Sequence, residues 1–187
     1  MTAPTPIPTL ARREVLAVLF PKPDDTLFVS GLAGSARDAA GLTGDGANLF
    51  TMAGTMGAAV PMGLGLALSA PKAQVVVITG DGEMLMNVGS LATVATMAPG
   101  NLSIVCIDNG CHGETGGQPG HTAVRTDLAL MGKGAGLAST MTAATAEEAY
   151  ALWAEAERVL QSVGAVTVPD GQPFQTSAEL VNYAFEG

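Results

Sequence analysis

The sequence predicts an α/β fold, a three-layer arrangement of a parallel sheet with helices on both faces. Three observations predict it. β-branched and apolar runs bounded by turn residues recur along the chain. Helical stretches fall between nearly all of them, and strand alternating with helix favours a parallel sheet covered on both sides. Only 13% of the 187 residues are charged against 48% apolar, so much of the chain is internal or lies in an interface.

Taken in order, the N-terminal "MTAPTPIPTLARREV" reads as a Pro-rich arm over residues 1–8, followed by a single domain over 9–187. It has no basic segment followed by an apolar stretch, so it is not a signal peptide, and a cytoplasmic protein is expected. A helix is predicted over 9–19, a strand over 26–30 (TLFVS) and a helix over 35–41. A helix over 55–70 and a strand over 74–79 (QVVVIT) follow, then a helix over 83–97 and a strand over 102–107 (LSIVCI). The last elements are a helix over 124–132, a strand over 137–141, a helix over 145–162 and a strand over 165–168. In "TAEE", Thr145 serves as N-cap with Glu148 three residues on, a capping box. Beyond it Ala149, Leu152, Trp153, Ala156, Val159 and Leu160 repeat at helical spacing and define one buried face.

The net charge of −9 argues against a nucleic-acid partner, which needs a basic surface. An anionic ligand must be held by a metal ion, by backbone amides or by a few of the eight basic residues. Cys106 and Cys111 have no second pair, so neither a disulfide framework nor a zinc site is expected, and Cys106 reads as a buried thiol. Two uncharged stretches, 47–71 and 84–107, raise the question of a membrane. Their internal Pro and Gly residues fit elements buried in a soluble assembly better, and no membrane association is expected.

Ligands of open α/β sheets bind beyond the carboxyl ends of the strands. The segments leaving those ends are 30–37 (SGLAGSAR), 79–83 (TGDGE) and 108–122 (DNGCHGETGGQPGHT). In "GDG", Gly80 and Gly82 let the backbone approach a ligand closely, and the following helix offers amides to an anion. Asp81 would repel a phosphate unless a cation intervenes, and Mg²⁺, a hard ion with oxygen ligands, suits it. Asn109 supplies a second hard oxygen. Each cluster alone is ordinary turn chemistry. Between Gly82 and Asp108, however, lie 25 residues, enough for one helix and one strand, which sets both clusters side by side at one sheet edge.

GDG followed at this interval by DN resembles the diphosphate and Mg²⁺ signature of thiamine diphosphate enzymes. The resemblance runs over roughly residues 10–170. "FTMAGTMGAAVPMGLGLALSAPKAQVVVITGDGEMLMNVGSLATVA" is similar to the cofactor-binding half of sulfopyruvate and phosphonopyruvate decarboxylases. "VSGLAGSARD" and "DNGCHGETGGQPGHT" resemble the two flanking loops of that group. The resemblance implies the thiamine diphosphate-binding (PP-domain) fold, with Asp81, Asn109 and the main-chain carbonyl of Cys111 as Mg²⁺ ligands. It places Gly80, Gly82, Glu83, His112 and Gly113 along the diphosphate, with Gly31, Ser30 and Ser35 from the first loop. Met56, in "GTMG", matches the bulky residue on which the cofactor bends into its V shape. Gly54, Thr55 and the Met56 amide would meet the aminopyrimidine. A core methionine is the ordinary role for such a residue when it stands alone.

By the same resemblance, His112 assists proton transfer or touches the substrate anion, a structural histidine being the other reading. His121, in the same loop, has the same alternatives. Arg37 matches an Arg of the group and would hold a phosphate or the substrate anion, or else is a solvated helix charge. The activity implied is non-oxidative decarboxylation of a small 2-oxo acid, a 3-substituted pyruvate, with sulfopyruvate favoured and phosphonopyruvate possible. Such enzymes also need a Glu on a separate pyrimidine-binding domain. The expectation is therefore a β-type subunit completed by an α-type partner, in an α2β2 or larger assembly. Two alternatives stand beside this: the β subunit of a 2-oxo acid oxidoreductase, and a noncatalytic flavodoxin-like module for nucleotide or phosphate. "HGE" departs from the "HES" associated with the phosphonopyruvate group, which leaves the substrate open.

Overall fold

The computed structural model describes residues 12–145, 147–151 and 179–184. Helix α1 (Arg12–Leu19) leads into β1 (Thr26–Ser30), α2 (Gly34–Thr43), β2 (Leu49–Thr51) and α3 (Ala59–Ser69). Then come β3 (Gln74–Gly80), α4 (Asp81–Met86), α5 (Ser90–Met97) and β4 (Leu102–Asp108). A two-stranded antiparallel ribbon follows, β5 (Cys111–His112) with β6 (Gln118–Pro119), and after it α6 (Leu128–Ala135), β7 (Ser139–Ala143) and β8 (Glu179–Ala184). The main sheet has six strands in the order β2-β1-β3-β4-β8-β7, and every pairing in it is parallel. The expected α/β class and buried parallel sheet are what the structure shows.

Burial explains why β3 and β4 are apolar on successive residues. Val76 and Ile78 of β3, with Val105 and Ile107 of β4, face one core together with Val15, Leu16 and Ala39. Val75, Val77, Ile104 and Cys106 face the other, against Val60 and Leu64 of α3, Leu91 and Val94 of α5 and Leu128 of α6. Each strand side chain alternates between two helical layers, so neither face tolerates charge. Phe20 and Phe28 add an edge-to-face contact with centroids 5.3 Å apart.

Several boundaries differ from expectation for identifiable reasons. The helix expected from residue 55 begins at Ala59, because Gly54 and Gly57 stand at φ 126° and 81° and Ala53 at 42°. The helix expected over 83–97 is two helices. At the break, Asn87 donates through Nδ2 to the Gly57 carbonyl (2.9 Å), and Ser90 Oγ donates to the Asn87 carbonyl (2.7 Å). These side chains give the backbone an alternative to the helical ladder. The helix expected over 124–132 starts instead at Leu128, where Asp127 accepts from the Leu130 amide at 2.8 Å as N-cap. Strands β2 and β8 were not expected, and the strand expected at 137–141 lies at Ser139–Ala143.

The capping box is present: Thr145 Oγ1 accepts from the Glu148 amide, while Glu148 Oε2 accepts from the amides of Ala144 and Thr145. Residues 147–151 are helical and Ala149 is fully buried. The arm 1–8, the start of the first helix, the face Leu152, Trp153, Ala156, Val159 and Leu160, and the strand expected at 165–168 lie outside the described residues. Among the described residues, no helix is long and apolar enough to cross a membrane.

Candidate cofactor site

The chain leaves β1 toward α2 on one face of the sheet and leaves β3 toward α4 and α5 on the other. β1 and β3 are neighbours, with Ser30 opposite Ile78, so their exits diverge and open a crevice. This is the topological switch point of an open parallel sheet. A cleft of about 260 Å³ lies there, lined by Leu32, Ala33, Gly34, Ser35, Met56, Gly80, Asp81, Gly82, Glu83, Ile107, Asn109, Cys111, His112, Gly113, Glu114 and Thr115. Three loops far apart in sequence thus meet in one wall.

Asp81 opens α4 directly after the buried strand and is only 3% exposed. Thr122 Oγ1 lies 2.6 Å from Asp108 Oδ1 and 3.2 Å from Asp81 Oδ2, so one hydroxyl stands between two buried carboxylates. Its single proton goes to the nearer, Asp108. Asp108 also accepts from the Gly110 amide at 2.9 Å, which commits Asp108 to the turn and leaves Asp81 the carboxylate that lines the cleft. Asn109 Oδ1 accepts from the Cys111 amide at 3.1 Å, which fixes the side chain and leaves that oxygen a second lone pair. In the ribbon, Gly120 donates to the Gly110 carbonyl (2.6 Å) and Gly117 to the His112 carbonyl (3.0 Å). Neither of these bonds uses the Cys111 carbonyl that lies between them.

Among the described residues, the wall carries the carboxylates of Asp81, Glu83 and Glu114 and no Lys or Arg. Within the cleft, then, a bound cation or backbone amides must offset the charge of an anionic ligand. Among the described residues no three His, Cys, Asp or Glu side chains converge as a cage. One buried carboxylate, one amide oxygen and one carbonyl suit Mg²⁺, which keeps its remaining sites for water and ligand phosphates. The donor set fits that ion.

Glu83 is 5% exposed, and among the described residues neither carboxylate oxygen meets a partner in good hydrogen-bond geometry. Burial raises its pKa from the ordinary value; the Thr79 hydroxyl and the backbone of Leu32, Gly57 and Ala59 lie near enough to offset part of that. Its carboxylate packs on Gly31, where a Cβ would sit 1.6 Å from Oε2. Met56 reaches the cleft 41% exposed, from a turn tied down by the Asn87–Gly57 bond and by the Met52 amide on the Ser30 carbonyl (2.9 Å). Cys106 is fully buried one strand turn below; burial, then the charges of Asp108, Asp81 and Glu83, push its thiol well up, the state of an inert core thiol.

The structure thus brings Ser35, Met56, Gly80, Asp81, Gly82, Glu83, Asn109, Cys111, His112 and Gly113 into one wall. Ser30 is fully buried behind it, with its hydroxyl near the Gly31 carbonyl at 3.5 Å. Gly31, Gly54 and Thr55 flank lining residues without lining the cleft themselves. Arg37 stands at the rim, paired with Glu114. His121 borders a separate hollow with Arg125 and Thr126. Sequence reasoning missed Thr122, Asn87 and Glu114 as site-building residues. All three lay in quoted segments, but only tertiary structure shows what they touch.

The thiamine pyrophosphate enzyme C-terminal TPP-binding domain matches residues 43–168. The β subunit of sulfopyruvate decarboxylase from Methanocaldococcus jannaschii is 48% identical over 99 residues, 53% of this chain and 52% of that protein. Phosphonopyruvate decarboxylase from Streptomyces viridochromogenes is 48% identical over 115 residues, 62% of this chain and 27% of that protein. The matched stretch thus spans about half the length of the first relative and about a quarter of the second. Among solved structures, benzoylformate decarboxylase from Polynucleobacter necessarius superposes with a TM-score of 0.69 at 19% identity, over 95% of this chain and 33% of that one.

Proposed function

Since the chain belongs to the thiamine pyrophosphate enzyme family through its C-terminal TPP-binding domain, we propose that it is the cofactor-holding β-type subunit of a non-oxidative 2-oxo acid decarboxylase. The observation that carries this reading is one cleft in which Asp81, Asn109, Cys111 and Met56 meet, with carboxylates and no Lys or Arg among its described lining residues. Asp81, Asn109 Oδ1 and the Cys111 carbonyl would hold Mg²⁺, which would offset the charge of the diphosphate. Gly80 and Gly82 would leave the backbone open to it, and Met56 would support the rings of the cofactor. Thiamine diphosphate, when bound, supplies the nucleophilic carbon and the electron sink that loss of CO₂ requires.

This chain's own part is to orient, to exclude water and to place a proton. His112 lines the cleft against Gly82 and is the group that relays a proton to the substrate carbon. A 3-substituted pyruvate is the substrate class, with sulfopyruvate favoured by the relatives' names and phosphonopyruvate second. An α-type partner bearing the pyrimidine-binding domain and its Glu completes the site, consistent with a relative that is itself named a β subunit.

The test is to purify the chain together with a candidate partner, add thiamine diphosphate and Mg²⁺, and screen 2-oxo acids for CO₂ release. Aldehyde and CO₂ in equal amounts are expected, and full-rate release by the isolated chain would overturn the need for a partner. Acceptor-dependent formation of a CoA thioester in place of aldehyde would move the reading to an oxidoreductase. Asp81→Ala and Asn109→Ala are each expected to weaken Mg²⁺-dependent cofactor binding by at least about tenfold.

A further inference from the structure

Arg37 and Glu114 join across the mouth of the cleft. Arg37 lies in the first turn of α2, two residues after the last of the lining residues Leu32–Ser35, and Glu114 lies in the short turn of residues 113–115 and itself lines the cleft. Nη2 of Arg37 stands 2.5 Å from Oε1 of Glu114, in a pair 77 residues apart in sequence. Both side chains remain largely in water, 66% and 53% exposed. The other carboxylates of the wall, Asp81 and Glu83, are buried, and Arg37 is the one cation that a contact brings to this wall among the described residues.

We propose that Glu114 is a specificity-determining residue, an internal competitor that occupies the Arg37 guanidinium and must be displaced by the second anionic group of a dianionic 2-oxo acid. This rests on the reading of the cleft as a 2-oxo acid site. The chemistry follows from the pair. A guanidinium at the rim is the natural dock for a sulfonate, phosphonate or second carboxylate, which it can hold through two parallel N–H donors. Here one donor already serves a carboxylate of the chain, so a dianion exchanges one ion pair for another. A monoanionic 2-oxo acid brings no second anionic group to Arg37 and makes no such exchange. The relative charges therefore set a ratio of substrates, which is what specificity means.

Exposure bounds the size of the effect. Solvent-exposed ion pairs are worth little, so the competition amounts to about fivefold, or about 1 kcal/mol. Glu114→Gln keeps the shape and removes the charge. In the assembled decarboxylase, E114Q is expected to raise the ratio of kcat/KM for sulfopyruvate over pyruvate about fivefold, chiefly through KM. The gain is expected to shrink in high salt, which screens exposed charges.

The binding arm needs no turnover. Calorimetric titration of the chain with malonate as dianion and malonamide as its uncharged analogue is expected to show malonate gaining about fivefold in E114Q, with malonamide as the reference. In the Arg37→Gln background, adding E114Q is expected to give no such gain, because the competitor acts only through Arg37. An E114Q chain that binds malonate no better than the wild type overturns the proposal, whatever reaction the assembly performs. An equal gain with and without Arg37 overturns it too, since that would be general repulsion. Failure of every 2-oxo acid to release CO₂ would instead sink the decarboxylase reading, with the malonate arm still deciding the role of Glu114.

Discussion

The Cε1–Nδ1 edge of the His112 imidazole abuts Gly82, so that a Cβ built on that glycine would stand 3.0 Å from both ring atoms. The second glycine of the GDG turn and the histidine of the ribbon therefore share one volume at the cleft wall. Gly82→Ala must push the ring aside by a few tenths of an ångström, and thiamine diphosphate affinity in Mg²⁺ is expected to fall about tenfold, about 1.4 kcal/mol. His112→Ala removes the obstacle. The double variant should therefore bind no worse than His112→Ala alone, a non-additivity measurable by calorimetry. Additive losses would mean that the contact has no part in cofactor binding.

Thr122 supplies one proton to two buried carboxylates, and the pair of negative charges is tolerated best when a cation joins them. Asp81→Asn removes one charge from this pair. In metal-free buffer the variant is expected to be more stable than the wild type by on the order of 1 kcal/mol, or about 2–4 °C in Tm for a chain of this size. Addition of Mg²⁺ with thiamine diphosphate should raise the wild-type Tm and leave the variant nearly unmoved. A scan in which both proteins respond equally to Mg²⁺ would remove Asp81 from the metal site.

The turn that presents Met56 depends on a bond from another element, Asn87 Nδ2 to the Gly57 carbonyl at 2.9 Å. Gly57 holds φ 81° with a would-be Cβ 3.0 Å from that of Asn87, so Gly57→Ala is both strained and crowded. Asn87→Ala leaves a carbonyl without its donor and is expected to cost about 1–2 kcal/mol of stability. Cofactor affinity should fall about three- to tenfold while Met56 itself is unchanged, since a loosened turn must be ordered on binding. Chemical denaturation and cofactor titration of the same protein check both.

This bond also explains why part of the site was not legible in the sequence. β3 and β4 were legible because parallel-sheet burial imposes apolar runs, and the turns after them were legible because close backbone approach imposes glycine. Asp81 and Asn109 then fell side by side through the length of one helix and one strand. The break at 87–89 was not legible, because Asn87, Val88 and Gly89 interrupt no apolar period; what ends the helix is a carbonyl 30 residues upstream. β2 is three residues long, too short for any periodicity. Thr122 and Glu114 owe their roles to partners 41 and 77 residues away. Local chemistry writes the turns, and tertiary contacts choose their partners.

Cys106 gives the pH-dependent prediction. Its folded thiol holds its proton well above the ordinary value of 9.0, first because it is buried and then because Asp108, Asp81 and Glu83 lie near. In the unfolded chain the same thiol ionises near that ordinary value. Above it the unfolded state therefore binds fewer protons than the folded state, and stability falls as pH rises. The contribution is intact below pH 9.0 and is lost progressively toward the folded value. Cys106→Ala should be less stable at neutral pH because of its cavity, yet lose Tm less steeply between about pH 9 and pH 11. Alkylation gives the companion measurement. Half-buried Cys111 should react with iodoacetamide in the native protein, whereas Cys106 should react only as fast as the chain unfolds. Equal native reactivity of the two thiols would contradict the burial that keeps Cys106 out of the site's chemistry.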